Sequence, residues 1–521
     1  MKNLLLFISF LCAAIILNGC SNLQKEEKKP NVIVFLVDDL GWNDTSLDLT
    51  GESTKYNERY QTPNLEKLAS QGITFTHART NAICVPSRVS LLTGQNFMRH
   101  QVKGDLHTMF NTKKTLEFPG GKAIAEPHNM LPAVLKRHGY YTVHAGKYHA
   151  CHRCPAEKSP TPEAAGFDVN IGGTGFGAPA NYYAIDSFQR RNATQKQPMP
   201  GLEKYFGKDM HLTEALTIES LNAVKGAVDK DQPFFLYLAH YAVHTPIQEH
   251  KPYRQNYTLI EGEPENEAAY ASMIEGVDVS LGTVMKALDD MKIADNTLLI
   301  FYSDNGGRVL WRGKKSLYEN YEFNYPLRSG KASAYEGGIR VPCVVRWPGK
   351  TKSQARSSAP LMIEDIYSTV LNAAGISTAN NYPMDGKDWS VFLGGQETPV
   401  DFKNRSLFFF MPYRFDGVEY NGPDFAHGGV AASASIIKNE WKLLYFFEKE
   451  IFELYNLNED IGEKHNLIDE NPEKANELIE ELDRNMHEKN ITTVPLLLPE
   501  RIEAKWPLKA WRGNNSTTRQ Q

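Results

Sequence analysis

Asn31-Val32-Ile33-Val34-Phe35-Leu36-Val37, followed at once by Asp38-Asp39, is the stretch whose reading decides the fold. It is a continuous apolar run of strand length, which suits a strand buried on both faces of a parallel sheet. Two acids then stand directly at its carboxyl end, where parallel α/β sheets gather their sites.

Outward from that run the pattern repeats. Thr62-Pro63 predicts a helix start, with Thr62 as N-cap, Leu65, Leu68 and Ala69 on one face, and Gly72 as the stop. Leu131–His138 reads as a short helix ended by Gly139, and Tyr140–Ala145 as the strand after it. Phe234–Ala239 is another buried run. Glu267–Met291 is a long amphipathic helix (Met273, Val277, Leu281, Met285 and Leu288 on one face), followed by the strand Thr297–Tyr302. Arg340–Val345 also reads as a buried strand, which makes Cys343 inert core. The expected fold class is α/β, a large central, mostly parallel sheet flanked by helices over residues 31–400. After 400 the short strands Ser433–Ile437, Trp441–Phe446 and Ile451–Tyr455 and the helix Pro472–Lys489 predict a smaller C-terminal α+β subdomain. It carries an antiparallel sheet and spans 401–512, with a disordered tail at 513–521.

Composition bounds the rest. The chain has 521 residues, is 41% hydrophobic and 23% charged, and carries a net charge of −5 with no basic stripe, which sets nucleic-acid binding aside. Lys2 and the apolar run Leu4–Leu17 read as an export leader, shorter than the ~20 residues a spanning helix needs. The run ends in Leu17-Asn18-Gly19-Cys20, which resembles a bacterial lipoprotein cleavage site. Residues 1–19 are then removed, Cys20 is lipidated, and 20–30 is a solvated tether. The alternative is plain secretion with cleavage near Gly19. The leader implies an exported protein anchored to a bacterial membrane, on its periplasmic or cell-surface face. Cys12 is lost with the leader. Cys151 and Cys154 form one Cys-x-x-Cys beside His152, a local disulfide or plain structure rather than a zinc site, which needs four ligands.

The polar residues fall into a pattern on this scaffold. Asp38-Asp39, Lys147 with His149, His240 with His244, and Asp304-Asn305 each follow a different predicted strand. Four strand ends thus deliver acids, an amide, lysines and histidines to one edge, which points to an enzyme. The carboxylates would repel one another in a cleft without a cation, and their hard oxygens suit Ca²⁺ or Mg²⁺. Cys84 precedes Pro86 and the apolar-periodic Val89, Leu91 and Leu92, so it starts a helix, where free N–H groups stabilise negative charge. A cysteine protease would use Cys84 as a thiolate with a His partner but gives the four metal-type ligands no role.

Cys84-Val-Pro-Ser-Arg88 followed by Leu91-Leu92-Thr93-Gly94 resembles the signature of type I sulfatases in the alkaline phosphatase superfamily. The resemblance continues through Val37-Asp38-Asp39-Leu-Gly41, Gly146-Lys147-Tyr-His149, His244-Thr-Pro246, Ser303-Asp304-Asn305-Gly306, Gly330-Lys331 and Glu336-Gly-Gly-Ile-Arg340 to Glu453–Leu457 and Asn466-Leu467. It implies an alkaline-phosphatase-like sheet and a cysteine oxidised to formylglycine by a separate formylglycine-generating enzyme. It implies that Asp38, Asp39, Asp304, Asn305 and residue 84 bind Ca²⁺, with Mg²⁺ as the alternative. Arg88 then holds residue 84, Lys147 and Lys331 stabilise the sulfuryl oxygens, His244 is the general acid and His149 the base. The implied reaction is hydrolysis of a sulfate ester on a sulfated polysaccharide or its oligosaccharides, algal (ulvan or carrageenan) or glycosaminoglycan. Asn324–Lys331 is similar to segments in carbohydrate-acting members. Two rivals stand beside it: a phosphonate monoester or phosphodiester hydrolase of the same superfamily, and an inactive glycan-binding lipoprotein in which Cys84 stays a thiol. His107, Arg308, Arg312 and Tyr413 are further candidates for substrate contact on loops; His240 is as well suited to the core.

Overall fold

The computed structural model describes residues 28–102, 124, 126–150, 160–189, 197, 199–259, 266–308, 324–377, 381–412, 432–447, 451–491, 493–494 and 504–505. The leader with Cys12 and Cys20, the tail, Cys151, His152 and Cys154, and the loop candidates His107, Arg312 and Tyr413 lie outside the described residues. No helix of the described residues is long and apolar enough to cross a membrane.

The Asn31–Val37 run is β1, and its six apolar residues are fully buried. It lies in an eight-stranded sheet with β2 (Ile73–Phe75), β4 (Tyr141–Gly146), β5 (Val169–Ile171), β6 (Phe234–Ala239), β7 (Thr297–Ser303), β8 (Cys343–Arg346) and β9 (Ala355–Ser357), in the order β5-β4-β6-β1-β7-β8-β2-β9. A separate short pair joins β3 (Ala78–Arg79) to β10 (Leu361–Met362). The α/β expectation holds: β1 pairs in parallel with β6 on one side and β7 on the other. One strand departs from it. β8, the expected Cys343 strand, runs antiparallel to both β7 and β2. Cys343 is a free thiol with no exposure, buried as expected.

Apolar side chains fill both faces of the sheet. Ile33, Phe35 and Val37 share one core with Met273, Val277 and Leu281 of the long Glu267–Asp290 helix. Val32, Val34 and Leu36 share the opposite core with Val85, Val89 and Leu92 of the Cys84–Thr93 helix. Each such side chain contributes about 1.5–3 kcal/mol on burial, so β1 is fixed from both faces. Thr62 opens the Pro63–Gln71 helix without a side-chain cap; its hydroxyl accepts instead from Ser46 N (2.8 Å). The cap comes from the tertiary structure, where the Asp278 carboxylate accepts from Asn64 N (3.0 Å) and Leu65 N (2.8 Å).

In the C-terminal part β11 (Ser406–Met411), β12 (Ser433–Lys438), β13 (Trp441–Phe446) and β14 (Ile451–Asn456) form an antiparallel meander. Ala475, Leu478, Ile479 and Leu482 of the Pro472–Glu488 helix cover it. A short antiparallel pair, β15 (Thr493–Val494) with β16 (Ala504–Lys505), follows. A buried ionic network ties this part to the first. Lys442 on β13 reaches Glu336 (3.1 Å) and Glu463 (2.8 Å), and Glu336 also pairs with Arg79 (2.7 Å). Because removing one partner strands buried charge, Lys442→Met is expected to destabilise the protein by about 3–5 kcal/mol. Chemical denaturation followed in both parts of the chain checks this, and a loss near zero would refute the coupling.

Candidate active site

Strand ends and close backbone approaches build the site. β1 ends in Asp38-Asp39, and Asp39 adopts the left-handed region (φ 61), which an aspartate tolerates. β4 ends in Gly146 (φ 101), where a Cβ would lie 1.9 Å from the Ala239 carbonyl oxygen at the end of β6. That contact lets Lys147 N donate to the same oxygen (2.7 Å) and turns the lysine into the cluster. At Gly306 a Cβ would lie 1.9 Å from the Gly337 carbonyl, so the loop after β7 fits directly under the Glu336 turn. Lys331 N donates to the Gly307 carbonyl (2.9 Å), and the next residue, Ala332, is held at φ 73. His149 is likewise at φ 43. Positive φ at three such residues beside one cluster marks strain that the surrounding packing maintains.

Cys84 is the first residue of its helix, with Ile83 as N-cap, and is buried. Its Sγ lies 3.2 Å from Lys331 Nζ and 3.6 Å from Asp38 Oδ1. Lys147 Nζ donates to Asp38 Oδ2 (2.6 Å), and Lys331 Nζ to Asp39 Oδ1. Arg88, one helical turn from Cys84, donates from Nε to Asp304 Oδ2 (2.9 Å) and from Nη1 to the Lys147 carbonyl (2.5 Å), with Nη2 3.9 Å from Asp38 Oδ1. Asn305 Nδ2 donates to Asp39 Oδ1 (2.8 Å), and Asp39 N to Asp304 Oδ1 (3.2 Å). Asp38, Asp39, Asp304, Asn305, Cys84, Arg88, Lys147, Lys331 and His244, expected from the sequence, thus form one connected cluster. His149 is buried nearby in the chain, its ring against Gly177.

Burial dominates the electrostatics. It pushes the Cys84 thiol up to about 12, against the pull of Lys147 and Lys331. Burial and the Asp304 charge raise Asp38 to about 8 despite Lys147. Burial acts on Asp39 in the same direction, but the Lys331 ammonium, with His244 and Arg308, holds it well below the usual carboxylate range. His244 is pushed well below the usual imidazole value by burial, with Lys331 adding to the effect.

The donor set fits a hard cation. Asp38, Asp39, Cys84 and His244 present donor atoms within 4.8 Å of one another. Asp39 Oδ2 and Asn305 Oδ1 are buried with no hydrogen-bond partner among the described residues. An orphaned buried acceptor is destabilising by about 1–3 kcal/mol, which a cation would relieve. His244 lies beside this set. Its Nδ1 donates to the Thr245 carbonyl (2.9 Å), so in the neutral ring Nε2 carries the lone pair, 3.7 Å from Asp39 Oδ2. Three carboxylates already face three basic side chains, so a divalent cation would leave the site net positive and suited to an anion.

The other sequence candidates sort differently. His240 is core: it lies edge-on to Phe35 (5.0 Å) and its Nε2 pairs with Ser280 Oγ (2.9 Å). Arg308 donates to Thr245 Oγ1 (2.8 Å), the hydroxyl beside His244 Nδ1 (3.3 Å), and so supports the histidine. Tyr182 was not legible. Its hydroxyl donates to the Tyr241 (2.7 Å) and His244 (2.8 Å) carbonyls and holds the turn after β6, yet its neighbours in sequence carry no motif. Asp44 was also missed; it is buried under Tyr270 (2.6 Å) and accepts from Gly41 N (2.8 Å), bracing the loop after Asp39. An acid six residues past Asp38 was the available signal.

The profile of the sulfatase family matches residues 30–376, and that of the N-sulphoglucosamine sulphohydrolase C-terminal region matches 329–492. The N-acetylgalactosamine-6-sulfatase of Canis lupus familiaris is 29% identical over 392 residues, 73% of this chain and 68% of that protein. A sulfatase of Formosa agariphila is 29% identical over 490 residues, 83% of each. Among solved structures, Ps i-CgsB in complex with k-i-k-neocarrahexaose superposes with a TM-score of 0.68 at 28% identity, covering 88% of this chain and 93% of that one.

A cation among these carboxylates is expected to stabilise the fold by about 2.7 kcal/mol at a hundred times its Kd. Exhaustive chelation should therefore lower the thermal midpoint, and added Ca²⁺ should restore it. An unchanged midpoint would show that no cation binds there.

Proposed function

The chain belongs to the sulfatase family and is a sulfuric ester hydrolase, and we propose that it removes sulfate from a sulfated glycan through a formylglycine made from Cys84. The observation that carries this reading is the placement of Cys84 Sγ between Lys331 Nζ and Asp38 Oδ1, beside carboxylate and amide oxygens that lack hydrogen-bond partners among the described residues. A thiol is a poor occupant of that position. An oxygen nucleophile suits it.

Formation of the aldehyde balances as Cys–SH plus water giving the aldehyde and H₂S. Two electrons and two protons pass to an oxidant brought by a formylglycine-generating enzyme. Hydration then gives residue 84 two geminal hydroxyls. Asp38, Asp39, Asp304 and Asn305, with an oxygen of residue 84, would hold a divalent cation, and an all-oxygen set of this kind favours Ca²⁺, with Mg²⁺ as the alternative. When bound, the cation supplies positive charge that acidifies a neighbouring hydroxyl and polarises the sulfate.

The chain's own residues do the rest. One hydroxyl oxygen of residue 84 attacks sulfur, and the bond from sulfur to the ester oxygen breaks. Lys147 and Lys331 flank the transferring group and stabilise its oxygens as charge shifts toward the leaving group. Arg88, locked on Asp304, keeps residue 84 and the acids in register. His244 protonates the departing oxygen; the anionic sulfate beside it favours the protonated ring that this role needs. His149 takes the proton of the second hydroxyl, the C=O bond re-forms, and sulfate leaves. A serine at 84 has no second hydroxyl and would stay esterified.

The glycan class is supported by the relatives: an N-acetylgalactosamine-6-sulfatase, and a structure that holds a neocarrahexaose. Carrageenan, ulvan and glycosaminoglycan fragments are therefore the substrates to test. The leader ending in Cys20 supports export and a lipid anchor.

Peptide mass over residues 79–99 of protein made in its host should show loss of H₂S and gain of oxygen; unmodified cysteine alone would overturn the mechanism. Cys84→Ala is expected to abolish turnover. His244→Ala should lower kcat by about 10²–10⁴-fold on glycan sulfates and by much less on aryl sulfates, whose phenolates leave without a proton. Equal losses on both would remove His244 from the general-acid role. Assays on phosphonate and phosphodiester substrates separate the rival hydrolase reading, and free sulfate release identifies the glycan.

A further inference from the structure

The sheet edge that carries the catalytic cluster continues beyond it. β2 and β9 run parallel to each other and to β1, because β8 reverses once against both β7 and β2. Thr76-His77 after β2 and Ser357-Ser358 at the end of β9 therefore emerge at the same edge as Asp38. Three strand spacings separate β1 from β2, roughly 14 Å. A groove of about 1230 Å³ lies there. Residues 50–55 and, from the C-terminal part, Leu457, Asn458 and Ile461 are among the residues that line it. No catalytic step described above uses it.

Two of its lining residues, Trp42 and Tyr325, lie close in sequence to the catalytic cluster. Trp42 lines it and follows Asp38-Asp39-Leu40-Gly41 directly, while Asn43 Nδ2 donates to the Tyr325 carbonyl (2.5 Å). Tyr325 also lines the groove, is 43% exposed, and precedes Lys331 in the same loop. Its walls are basic. Lys55 and Arg356 stand against one carboxylate, Glu52, among the described lining residues, while the charge of the buried Arg340 is matched by Glu336 (3.6 Å). The Arg340 guanidinium stacks over the Trp42 indole (4.4 Å). His77 Nδ1 lies 3.3 Å from Arg340 Nη2, so it is the acceptor nitrogen. The His77 proton then sits on Nε2, which has no partner among the described residues. Burial beneath Arg340 holds His77 neutral, at about 2. Guanidinium forks suit sulfate oxygens, and an exposed aromatic with converging hydroxyls suits the apolar face of a sugar ring.

We propose that this groove is a distal subsite for a sulfated oligosaccharide, with Arg356 and Lys55 holding a second sulfate and Tyr325 stacking a sugar ring. The reacting sulfate lies at residue 84, so the inference rests on the glycan-sulfatase reading above.

Arg356→Ala and Tyr325→Ala, in the full chain, test it; both residues are at the surface, and thermal midpoints equal to the parent's confirm folding. In a Cys84→Ala background, binding of fluorescent sulfated hexasaccharides from carrageenan and from chondroitin is measured, with their desulfated forms as controls. At least one sulfated hexasaccharide is expected to bind, about tenfold more weakly in either variant, with no binding of the desulfated forms. Arg356→Lys should recover part of the loss. In the Cys84 enzyme the variants should leave kcat/KM on a small aryl sulfate unchanged. No binding of any hexasaccharide by the parent, equal binding by the variants, or equal loss on the aryl sulfate would overturn the subsite. Failure of the Cys84 enzyme to turn over aryl sulfate would instead count against the sulfatase reading, which the binding assay does not depend on.

Discussion

Three carboxylates (Asp38, Asp39 and Asp304) share one buried space with Arg88, Lys147 and Lys331. Desolvation opposes each of these charges, and apolar side chains of similar volume would hold the fold as well or better. The cluster is therefore to be understood through what it can hold, an anion and a cation, rather than through stability. The surrounding structure serves its placement. β1 is apolar from Val32 to Val37 and buried on both faces, which carries Asp38-Asp39 to the sheet edge without freedom to shift. Gly146 and Gly306 allow backbone contacts that any side chain would prevent, and these contacts aim Lys147 and seat the Asp304 loop. The left-handed backbone at Asp39, His149 and Ala332 adds local strain at the same place, as expected where function rather than stability selects the geometry.

The second buried charge network has a different task. Glu336 sits in the turn that packs against Gly306, and it pairs with Arg79 and with Lys442 of the C-terminal sheet. Glu463 completes it by accepting from Glu336 N (2.7 Å). The C-terminal part is thereby fastened to the loop region that carries Lys331. The N-sulphoglucosamine sulphohydrolase C-terminal profile begins at 329, just before that lysine, so the segment that supplies a basic side chain to the site and the meander that braces it form one stretch of chain.

Continuous apolar runs made β1, β6 and β7 legible, since little else can be done with strand-length stretches lacking charge. The strand ends then pointed to Asp38, Asp39, Lys147, His149, His244, Asp304 and Asn305, because parallel sheets open at that edge. The short strands β2, β5 and β9 were not legible: three residues carry no measurable periodicity, and β9 is only partly buried. The reversal of β8 was hidden for another reason, as an antiparallel strand covered on both faces looks in sequence like a parallel one. Thr62 shows the limit of local signals, for its hydroxyl serves Ser46 while a carboxylate from a distant helix caps Asn64 and Leu65.

By itself the sequence determined the fold class, the sulfatase signature around Cys84 and the residue types delivered to the site, because period, length and motif are properties of neighbouring residues. The tertiary structure alone decided which carboxylate meets which base, that His240 is core while His244 faces Asp39, and that Tyr182 and Asp44 brace the loops. It also decided that a groove with basic walls continues the edge. These depend on distances between residues hundreds of positions apart, which only the closure of the sheet and the packing of its helices set.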